Sequence, residues 1–325
     1  MDVISNLQKK AAKKCPTIIF PEGKEEKIVK AAEILAKKGI LKPVILGNEE
    51  EIKCFGVDMT AIKVITLDTY ADKYEEWAKE YEPILDVPAR MISKRLKKNP
   101  LWLGGALVHF GIADGMVAGF SYPTADVIFA FRVFVGLAGG VKIPSSYFLM
   151  DIPTFKGGED GLLIYADGGV VPNPTAEELA NIAETTADSV VSLLDWEPRV
   201  AMLSFSTKGS AKHKDVQKVV KAFELVKEHR PEMKIDGELQ GDAALSKEVA
   251  AKKAGADNVL QGNANILIFP DLDAGNIAYK LTQKLTGGKA YGPLLQGFAK
   301  PVSDLSRGSS VEDIIGVATI VAAQV

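Results

Sequence analysis

The sequence predicts an α/β protein made of two three-layer α/β domains with mostly parallel sheets. Three observations support this prediction. Short apolar runs alternate with longer segments of helical period, which is the pattern of parallel strands joined by crossover helices. The 325 residues exceed what one hydrophobic core usually organises. A composition of 47% hydrophobic and 25% charged residues is typical of a folded globular chain.

The first half of the chain begins with a basic segment that has no continuous apolar run. We therefore expect an amphipathic helix over 1–14 rather than a signal peptide, and a cytoplasmic protein. No apolar stretch reaches the roughly 20 residues that cross a bilayer. Apolar runs and periodic segments then predict, in order, strand 17–20, helix 24–38, strand 44–46, helix 49–54, strand 116–118 and helix 124–137.

The second half repeats this alternation. It predicts strands at 200–204, 235–238 and 266–269, separated by helices at 212–228 and 242–253. A cluster of glycine and proline at 139–144 indicates a domain boundary. We expect the C-terminal helix, 311–325, to pack back onto the first domain. The predicted domains are therefore 1–142 plus 297–325, and 143–296.

Charge and motif content exclude several classes of function. A net charge of -3 gives no basic field, so nucleic acid and anionic membranes are not expected partners. Cys15 and Cys54 form no CxxC pair, and His109, His213 and His229 lack metal-ligand spacing, so neither a disulfide framework nor a metal site is expected. The sequence contains no GxGxxG and no P-loop pattern. Any anion must therefore be bound locally.

The most informative segment is the polar stretch 304–313, which precedes an apolar helix. In a structural interpretation, Ser309 and Glu312 form the capping box of that helix. In a functional interpretation, Arg307 holds a phosphate group bidentately beside a hydroxyl and a carboxylate. The spacing alone leaves both interpretations open.

Two further polar segments follow predicted strands. Segment 204–212 leads into a predicted helix, where free backbone N–H groups attract anions, although an N-cap with lysines facing water is an equal alternative. Segment 269–276 has the same position after the predicted strand 266–269. Ligands of open α/β sheets collect at the carboxyl ends of strands, so these segments predict a cleft.

Taken together, these stretches resemble the phosphotransacetylase family. The motifs that carry the resemblance lie at 199–212, 235–240, 265–271, 274–280 and 304–308, with others at 20–23, 43–47, 113–115 and 173–176. The resemblance implies an isocitrate-dehydrogenase-like fold with the active site in the interdomain cleft. It also implies a homodimer that reversibly converts acetyl-CoA and phosphate into CoA and acetyl phosphate, without a metal or other cofactor.

The resemblance also implies roles for individual residues. Asp313 is the base that deprotonates the CoA thiol, Ser306 is a hydrogen-bonding partner at the reacting centre, and Arg307 clamps the phosphate and carbonyl oxygens. A thiol with a pKa near 8.5 is largely protonated at neutral pH, so a base accelerates formation of the attacking thiolate. Substrate contacts are predicted at Ser206, Thr207, Lys208, Gly209, Ser210, Asn276 and Arg132.

The sequence departs from the family pattern after Gly119. Tyr122 stands at the position of a family histidine, Phe129 at that of an arginine, and Ala130 at that of a proline. Arg132, one helical turn beyond Phe129, is predicted to replace the missing charge, with a simple surface charge as the alternative. Acetyl is the predicted acyl group, and propionyl or butyryl is the alternative. A non-catalytic regulatory protein and a dehydrogenase of similar fold are the rival functions.

Overall fold

A computed structural model describes residues 3–255 and 258–325 of the chain, which divides into two compact units. The first unit runs as far as Gly139 and resumes at Phe298, and the second unit spans Gly140–Gly297. The chain therefore passes between the units twice.

The secondary structure alternates between strands and helices for most of the chain. The strands are β1 (Thr17–Phe20), β2 (Lys42–Leu46), β3 (Lys63–Ile65), β4 (Gly115–Ala118), β5 (Ser145–Asp151), β6 (Leu162–Ala166), β7 (Val200–Leu203), β8 (Ile235–Leu239), β9 (Ile266–Ile268), β10 (Lys289–Gln296) and β11 (Val302–Asp304). The helices are α1 (Val3–Lys14), α2 (Glu26–Lys37), α3 (Glu49–Lys53), α4 (Tyr74–Leu85), α5 (Ala89–Leu96), α6 (Pro100–His109), α7 (Thr124–Ala130), α8 (Ala176–Leu194), α9 (Lys214–His229), α10 (Gly241–Leu245), α11 (Lys247–Lys253), α12 (Leu272–Thr286) and α13 (Val311–Gln324).

The first unit contains a parallel sheet with the strand order β11-β4-β1-β2-β3. Gly115 of β4 lies so close to α13 that a Cβ there would be 3.3 Å from a methyl group of Val321. The next residue, Met116, packs its side chain against Gly104 of α6. Successive strand residues point to opposite faces, so α13 and α6 cover opposite faces of the sheet. This arrangement is a three-layer α/β unit.

The C-terminal helix α13 packs against α1, α2 and β4 within the first unit. The strand that precedes it, β11, pairs with β4 in parallel, with Asp304 opposite Ala118. This strand was not predicted from the sequence, because it has only three residues and ends in a charged one. Its consequence is that the loop after β11 starts at the carboxyl edge of the sheet.

The second unit contains a mixed sheet with the order β10-β5-β6-β9-β7-β8. The pairs β10/β5 and β5/β6 are antiparallel, and the other three pairs are parallel. The predicted α/β class with mostly parallel sheets is therefore confirmed. The antiparallel edge was not predicted, because β5 is buried along nearly its whole length and shows no alternation of polar and apolar residues.

Two predicted helices differ from the structure. The segment predicted as one helix over 242–253 is broken at Ser246, whose backbone is extended and whose hydroxyl accepts from the Val249 N–H to cap α11. Such local hydrogen bonds compete with helix continuation. The helix predicted over 124–137 is α-helical only to Ala130. It continues as a π-helical turn, Phe131–Val135, closed by the Gly136 N–H donating to the Phe131 carbonyl at 2.9 Å.

Each unit has its own hydrophobic core. In the second unit, alternate residues of β5, β6 and β7 pack together with α10 and with the inner side of α12, where the ring of Tyr279 stacks on Phe148. Within the described residues, no helix is long and apolar enough to cross a membrane.

Candidate active site

The loop between β11 and α13 carries the three residues predicted to catalyse a reaction. Ser306 and Arg307 are exposed, and they lie in a turn closed by the Ser309 N–H donating to the Ser306 carbonyl at 3.0 Å. Among the described residues, Arg307 forms no salt bridge and no hydrogen bond. Its guanidinium is therefore free to bind an anion.

Helix α13 begins with a capping box formed by Ser310 and Asp313. The Ser310 hydroxyl accepts from the Asp313 N–H at 3.1 Å, and Asp313 Oδ2 accepts from the Ser310 N–H at 2.9 Å. The predicted pair, Ser309 and Glu312, was wrong by one residue. The reason is that Ser309 is buried, and its carbonyl accepts from Lys27 Nζ at 3.2 Å.

The capping box leaves part of the Asp313 carboxylate available. Oδ2 holds the backbone N–H and the hydroxyl of Ser310, the latter at 2.8 Å, whereas Oδ1 has no hydrogen-bond partner in the described parts of the chain. The side chain is exposed. Asp313 can therefore accept a proton on Oδ1 while its other oxygen continues to cap the helix.

A buried carboxylate holds the loop that follows β4. Glu22 accepts from the backbone N–H groups of Gly119, Phe120, Ser121 and Tyr122 at 2.6–3.2 Å, and from the Ser121 hydroxyl at 3.0 Å. This loop includes the position where the family has a histidine. Its backbone donors are consequently occupied by a carboxylate of the protein.

Tyr122 is half-buried and lines a cavity of about 480 Å³ at the carboxyl ends of β1, β2 and β3, together with Lys24, Asn48 and Asp68. Burial raises the pKa of the Tyr122 phenol, and the charge of Glu22 acts in the same direction. The phenol is therefore neutral at physiological pH. Tyr122 cannot act as a base there in the way that a histidine could.

Phe129 and Arg132, where the sequence differs from the family pattern, lie on α7 and on the π-helical turn after it. The Phe129 side chain is 47% exposed, and its ring centroid lies 6.2 Å from that of Trp102. Arg132 is also exposed, and it forms no salt bridge or hydrogen bond within residues 3–255 and 258–325. A charge and an aromatic surface are therefore both presented outside the core.

In the second unit, the predicted anion-binding segment is a turn that precedes α9, and α9 begins only at Lys214. The Gly209 N–H donates to Glu238 Oε1 at 2.8 Å, the Lys208 N–H donates to the Glu238 carbonyl at 3.2 Å, and the Thr207 N–H donates to the Ser210 hydroxyl at 3.0 Å. These three backbone donors already have partners within the unit. Binding of an anion at this turn stays a prediction.

The side chains of this turn are also largely engaged. Ser206 is buried and donates to Glu238 Oε1 at 2.8 Å, and Thr207 is buried beside Gln240. Lys208 forms a salt bridge with the buried Asp236. Of the predicted substrate contacts in this turn, Lys208, Gly209 and Ser210 are the exposed ones.

Asn276 lies on α12, half-buried, and donates from Nδ2 to the Gly168 carbonyl at 3.0 Å. The neighbouring Asp167 accepts from the Ser146 hydroxyl and from three backbone N–H groups in segment 169–171. Burial raises the pKa of the Asp167 carboxyl, although these hydrogen bonds oppose the shift. Asn276 thus helps to fix a loop at a strand end.

The structure brings Ser306, Arg307 and Asp313 to one junction of loop and helix in the first unit. In the second unit it keeps Ser206–Ser210 in one turn, with Asn276 on a separate helix. A set of buried carboxylates was not predicted from the sequence. Their signal was an acidic residue near the end of an apolar strand: Glu22, Asp167, Glu238 and Asp304. In the described residues, no group of three His, Cys, Asp or Glu side chains could hold a metal ion.

Comparison with known proteins places the chain in a family. The family model described as phosphate acetyl/butaryl transferase matches residues 2–322. A phosphate acetyltransferase of Acetivibrio thermocellus is 44% identical over 327 residues, covering 100% of this chain and 98% of the relative. The crystal structure of a phosphotransacetylase from Streptococcus pyogenes matches with a TM-score of 0.91 and 39% identity, covering 99% of this chain and 97% of that one.

A 4-hydroxythreonine-4-phosphate dehydrogenase from Burkholderia phymatum matches with a TM-score of 0.56 over 94% of this chain and 98% of that one. Its sequence identity of 12% means that it shares the fold alone. The family match spans nearly the whole sequence, and the Acetivibrio relative aligns over its full length. The chain therefore belongs to the phosphate acetyl/butaryl transferase family.

Proposed function

We propose that this protein is a phosphate acetyltransferase, which transfers the acetyl group of acetyl-CoA to phosphate and catalyses the reverse reaction. The observation that carries the proposal is similarity along the whole chain to phosphate acetyltransferases that are 44% and 43% identical. The junction of β11 and α13 supports it by presenting an unpaired guanidinium, a hydroxyl and an exposed carboxylate.

In the direction that forms acetyl-CoA, Asp313 takes the proton of the CoA thiol on its free oxygen. The thiolate then attacks the carbonyl carbon of acetyl phosphate, the C–S bond forms, and the carbonyl electrons move to oxygen. Collapse of this oxyanion breaks the C–O bond to phosphate. The leaving phosphate takes the proton held by Asp313 and departs as the dianion HPO4(2−), which returns Asp313 to its carboxylate form. Arg307 neutralises the charge that develops on the carbonyl and phosphate oxygens, and the Ser306 hydroxyl donates a hydrogen bond to them.

The proposed substrates are CoA, acetyl-CoA, phosphate and acetyl phosphate, and the steps above require no metal and no further cofactor. One observation favours a second candidate, a transferase for propionyl or butyryl groups. Phe129 exposes an aromatic surface at the position of a family arginine, and each extra buried methylene would contribute up to about 0.8 kcal/mol. We place acetyl first because the full-length relatives are phosphate acetyltransferases.

The test is release of CoA from acetyl-, propionyl- and butyryl-CoA, followed with a thiol reagent, with and without phosphate and with a metal chelator. We expect release that requires both the protein and phosphate, is fastest with acetyl-CoA and persists in the chelator. Absence of release from every acyl-CoA would overturn the proposal and favour a non-catalytic protein on this fold. Loss of activity in the chelator would contradict a metal-free reaction.

We also propose that the protein works as a homodimer. The supporting feature is the α12 stripe, defined as Ile277, Leu281 and Leu285, whose side chains are 56%, 54% and 81% exposed. Residues four apart in a helix lie on one face, so these three side chains form a continuous apolar strip. A second copy of the chain that presents the same strip across a two-fold axis would cover it.

A further inference from the structure

Asp304, the last residue of β11, is a buried carboxylate that the mechanism above does not use. Its side chain is 1% exposed, and it lies two residues before Ser306. Oδ2 accepts a hydrogen bond from the Thr124 hydroxyl at 2.6 Å. Oδ1 is buried and has no hydrogen-bond partner in the described chain. Burial without full hydrogen bonding is costly for a carboxyl group, so its presence at this position needs a reason.

The second contact of Asp304 is steric. Gly119 has a φ of +105°, and a Cβ at this position would lie 1.9 Å from Asp304 Oδ1. The carboxyl group therefore occupies the space beside the first residue of the loop that Glu22 holds. Asp304 and Glu22 contact the same segment, 119–124. Asp304 contacts both of its ends, Gly119 and Thr124, and Glu22 accepts from the backbone N–H groups of residues 119–122.

The distribution of donors between the two carboxylates is unequal. Glu22 accepts from four backbone N–H groups and one hydroxyl, whereas Asp304 accepts from the Thr124 hydroxyl. Burial raises the pKa of Asp304 to about 6, and the nearby charge of Glu22 adds to the rise. Glu22 thus has the hydrogen bonds of a structural carboxylate, while Asp304 joins two segments through a single strong bond.

Those two segments carry the predicted chemistry of the first unit. Asp304 leads directly into the loop with Ser306 and Arg307, and Thr124 is the first residue of α7, which leads to Phe129 and Arg132. We infer that Asp304 is a positioning residue for the proposed acetyl transfer, because its bond to Thr124 and its contact with Gly119 hold loop 305–310 in place against the start of α7. This inference rests on the proposed function.

The experiment compares Thr124→Val and Asp304→Asn, singly and together, with a matched pair of controls. Thr124→Val removes the hydroxyl but keeps the shape of an exposed side chain, so this variant folds even if Asp304→Asn does not. The controls are Thr60→Val and Asp58→Asn, because Asp58 Oδ1 accepts from the Thr60 hydroxyl at 2.7 Å in an exposed turn of the same unit. Each protein is measured for kcat, for KM of acetyl-CoA and phosphate, and for hydrogen–deuterium exchange of segments 119–124 and 305–310.

We expect Thr124→Val and Asp304→Asn each to lower kcat by about 10-fold to 10²-fold, with KM for acetyl-CoA changed less than about twofold, because misplacement of reacting groups acts mainly on the transition state. The double variant should be no slower than the slower single variant, since both break one bond. Exchange should rise in both segments together, and the controls should match wild type.

Wild-type kcat in Thr124→Val, or faster exchange in only one of the two segments, would overturn the inference. The exchange measurement keeps the two proposals separate. If the wild-type protein releases no CoA, the proposed function fails, but joint loss of protection in both segments would still show that Asp304 couples them. If the protein is active and exchange is unchanged in the variants, the positioning role alone fails.

Discussion

Buried carboxylates at the ends of strands are the residues that shape the candidate site. Glu22 and Asp167 each accept several hydrogen bonds from the backbone of a neighbouring loop. Glu238 accepts from the Gly209 N–H and the Ser206 hydroxyl of one turn. A hydrogen bond to a charged group contributes about 1.5–3 kcal/mol, so several of them offset the penalty of burying one charge. Each carboxylate thereby fixes a loop at the end of a strand, and the turn that Glu238 holds carries predicted site residues.

Replacement of Asp313 by asparagine should separate its two roles. The Asn side-chain oxygen can still accept from the Ser310 N–H, so the cap survives and the free energy of unfolding should change by no more than about 1 kcal/mol. Loss of the base should lower kcat by about 10²-fold to 10⁴-fold. Steady-state kinetics and chemical denaturation measure the two effects.

Glu178→Gln is the matched control for this substitution. Glu178 accepts from the Thr175 N–H at 2.8 Å in the capping box of α8, and it is not a predicted site residue. This variant should keep wild-type turnover. A folded Asp313→Asn protein with near wild-type kcat would remove Asp313 from its proposed role as the base.

The raised pKa of Asp304, about 6, predicts a pH-dependent stability. A carboxyl group in an unfolded chain has a pKa near 3.9, so the folded protein holds this proton more tightly. The stabilisation is present below about pH 4 and is lost as the pH rises toward 6. Over that window, wild type should lose up to about 3 kcal/mol relative to Asp304→Asn.

Urea denaturation of wild type and Asp304→Asn at pH 4.5, 5.5 and 7 measures this difference. Asp58→Asn serves as the control, because hydrogen bonds from Thr60 lower the pKa of the exposed Asp58. The contribution of the Asp58 carboxylate to stability is lost only as the pH falls toward its pKa in the folded state. The difference in the free energy of unfolding between wild type and Asp58→Asn should therefore not change between pH 5.5 and 7. If the difference in the free energy of unfolding between wild type and Asp304→Asn is equally independent of pH, the pKa of the buried Asp304 carboxyl is not raised.

The sequence identified Ser306, Arg307 and Asp313 as one polar group before a helix, and the structure places them at one junction. Which serine caps α13 could not be predicted, because both Ser309 and Ser310 precede an acid by three residues. Tertiary contacts decide between them: Lys27 binds the Ser309 carbonyl and Ser309 is buried. The contacts of Asp304 were equally hidden, since Thr124 lies 180 residues away in the sequence.

At the scale of secondary structure, the π-helical turn after α7 is the feature with the clearest functional consequence. A π turn contains an extra residue relative to an α-helical turn and is common at functional sites. It leaves Arg132 exposed while Phe131 and Phe134 are fully buried. The charge of Arg132 is therefore exposed, as its predicted contact with a substrate requires.

Arg132→Ala should raise KM for phosphate by at least about 10-fold, because a charge-assisted hydrogen bond contributes about 1.5–3 kcal/mol. Activity with acetyl-CoA should fall more than activity with butyryl-CoA, since removal of the charge leaves the aromatic surface of Phe129. Kinetics with acetyl-, propionyl- and butyryl-CoA measure both effects. The control is Arg90→Ala, which removes an exposed arginine from α5. Unchanged kinetics for every substrate in Arg132→Ala would assign Arg132 a structural role.

Parallel strands were predictable from sequence because each is a short apolar run followed by a helix of clear period. The antiparallel edge β10-β5-β6 was not, since burial of β5 removes the alternation that marks a strand. The partners of segment 204–212 were hidden for a related reason. A strand end before a helix predicts free N–H groups, but Glu238, on the neighbouring strand β8, already accepts from the Gly209 N–H.

At the scale of the whole molecule, the sequence bears on whether two copies of the chain associate. The net charge of -3 gives little repulsion between copies. The α12 stripe lies in the second unit, and within the described chain it has the most exposed large apolar side chain, Leu285. Burial of one such side chain contributes up to about 1.5–3 kcal/mol. In a two-fold symmetric dimer, both chains bury their copy of each side chain. This gain is of the size needed to offset the roughly 4–15 kcal/mol that association costs.

Leu281→Asp places a charge at the centre of the α12 stripe and should convert a dimer into a monomer, because an unpaired carboxylate in an apolar interface is strongly unfavourable. Sedimentation velocity over a range of protein concentrations measures the mass against the 34.9 kDa of one chain. The control is Ile84→Asp, which adds the same charge at a side chain that is 60% exposed on α4 in the first unit. We expect wild type and Ile84→Asp to sediment as dimers and Leu281→Asp as a monomer. A wild-type monomer at every concentration would contradict the homodimer, and a Leu281→Asp dimer would place its interface on another surface.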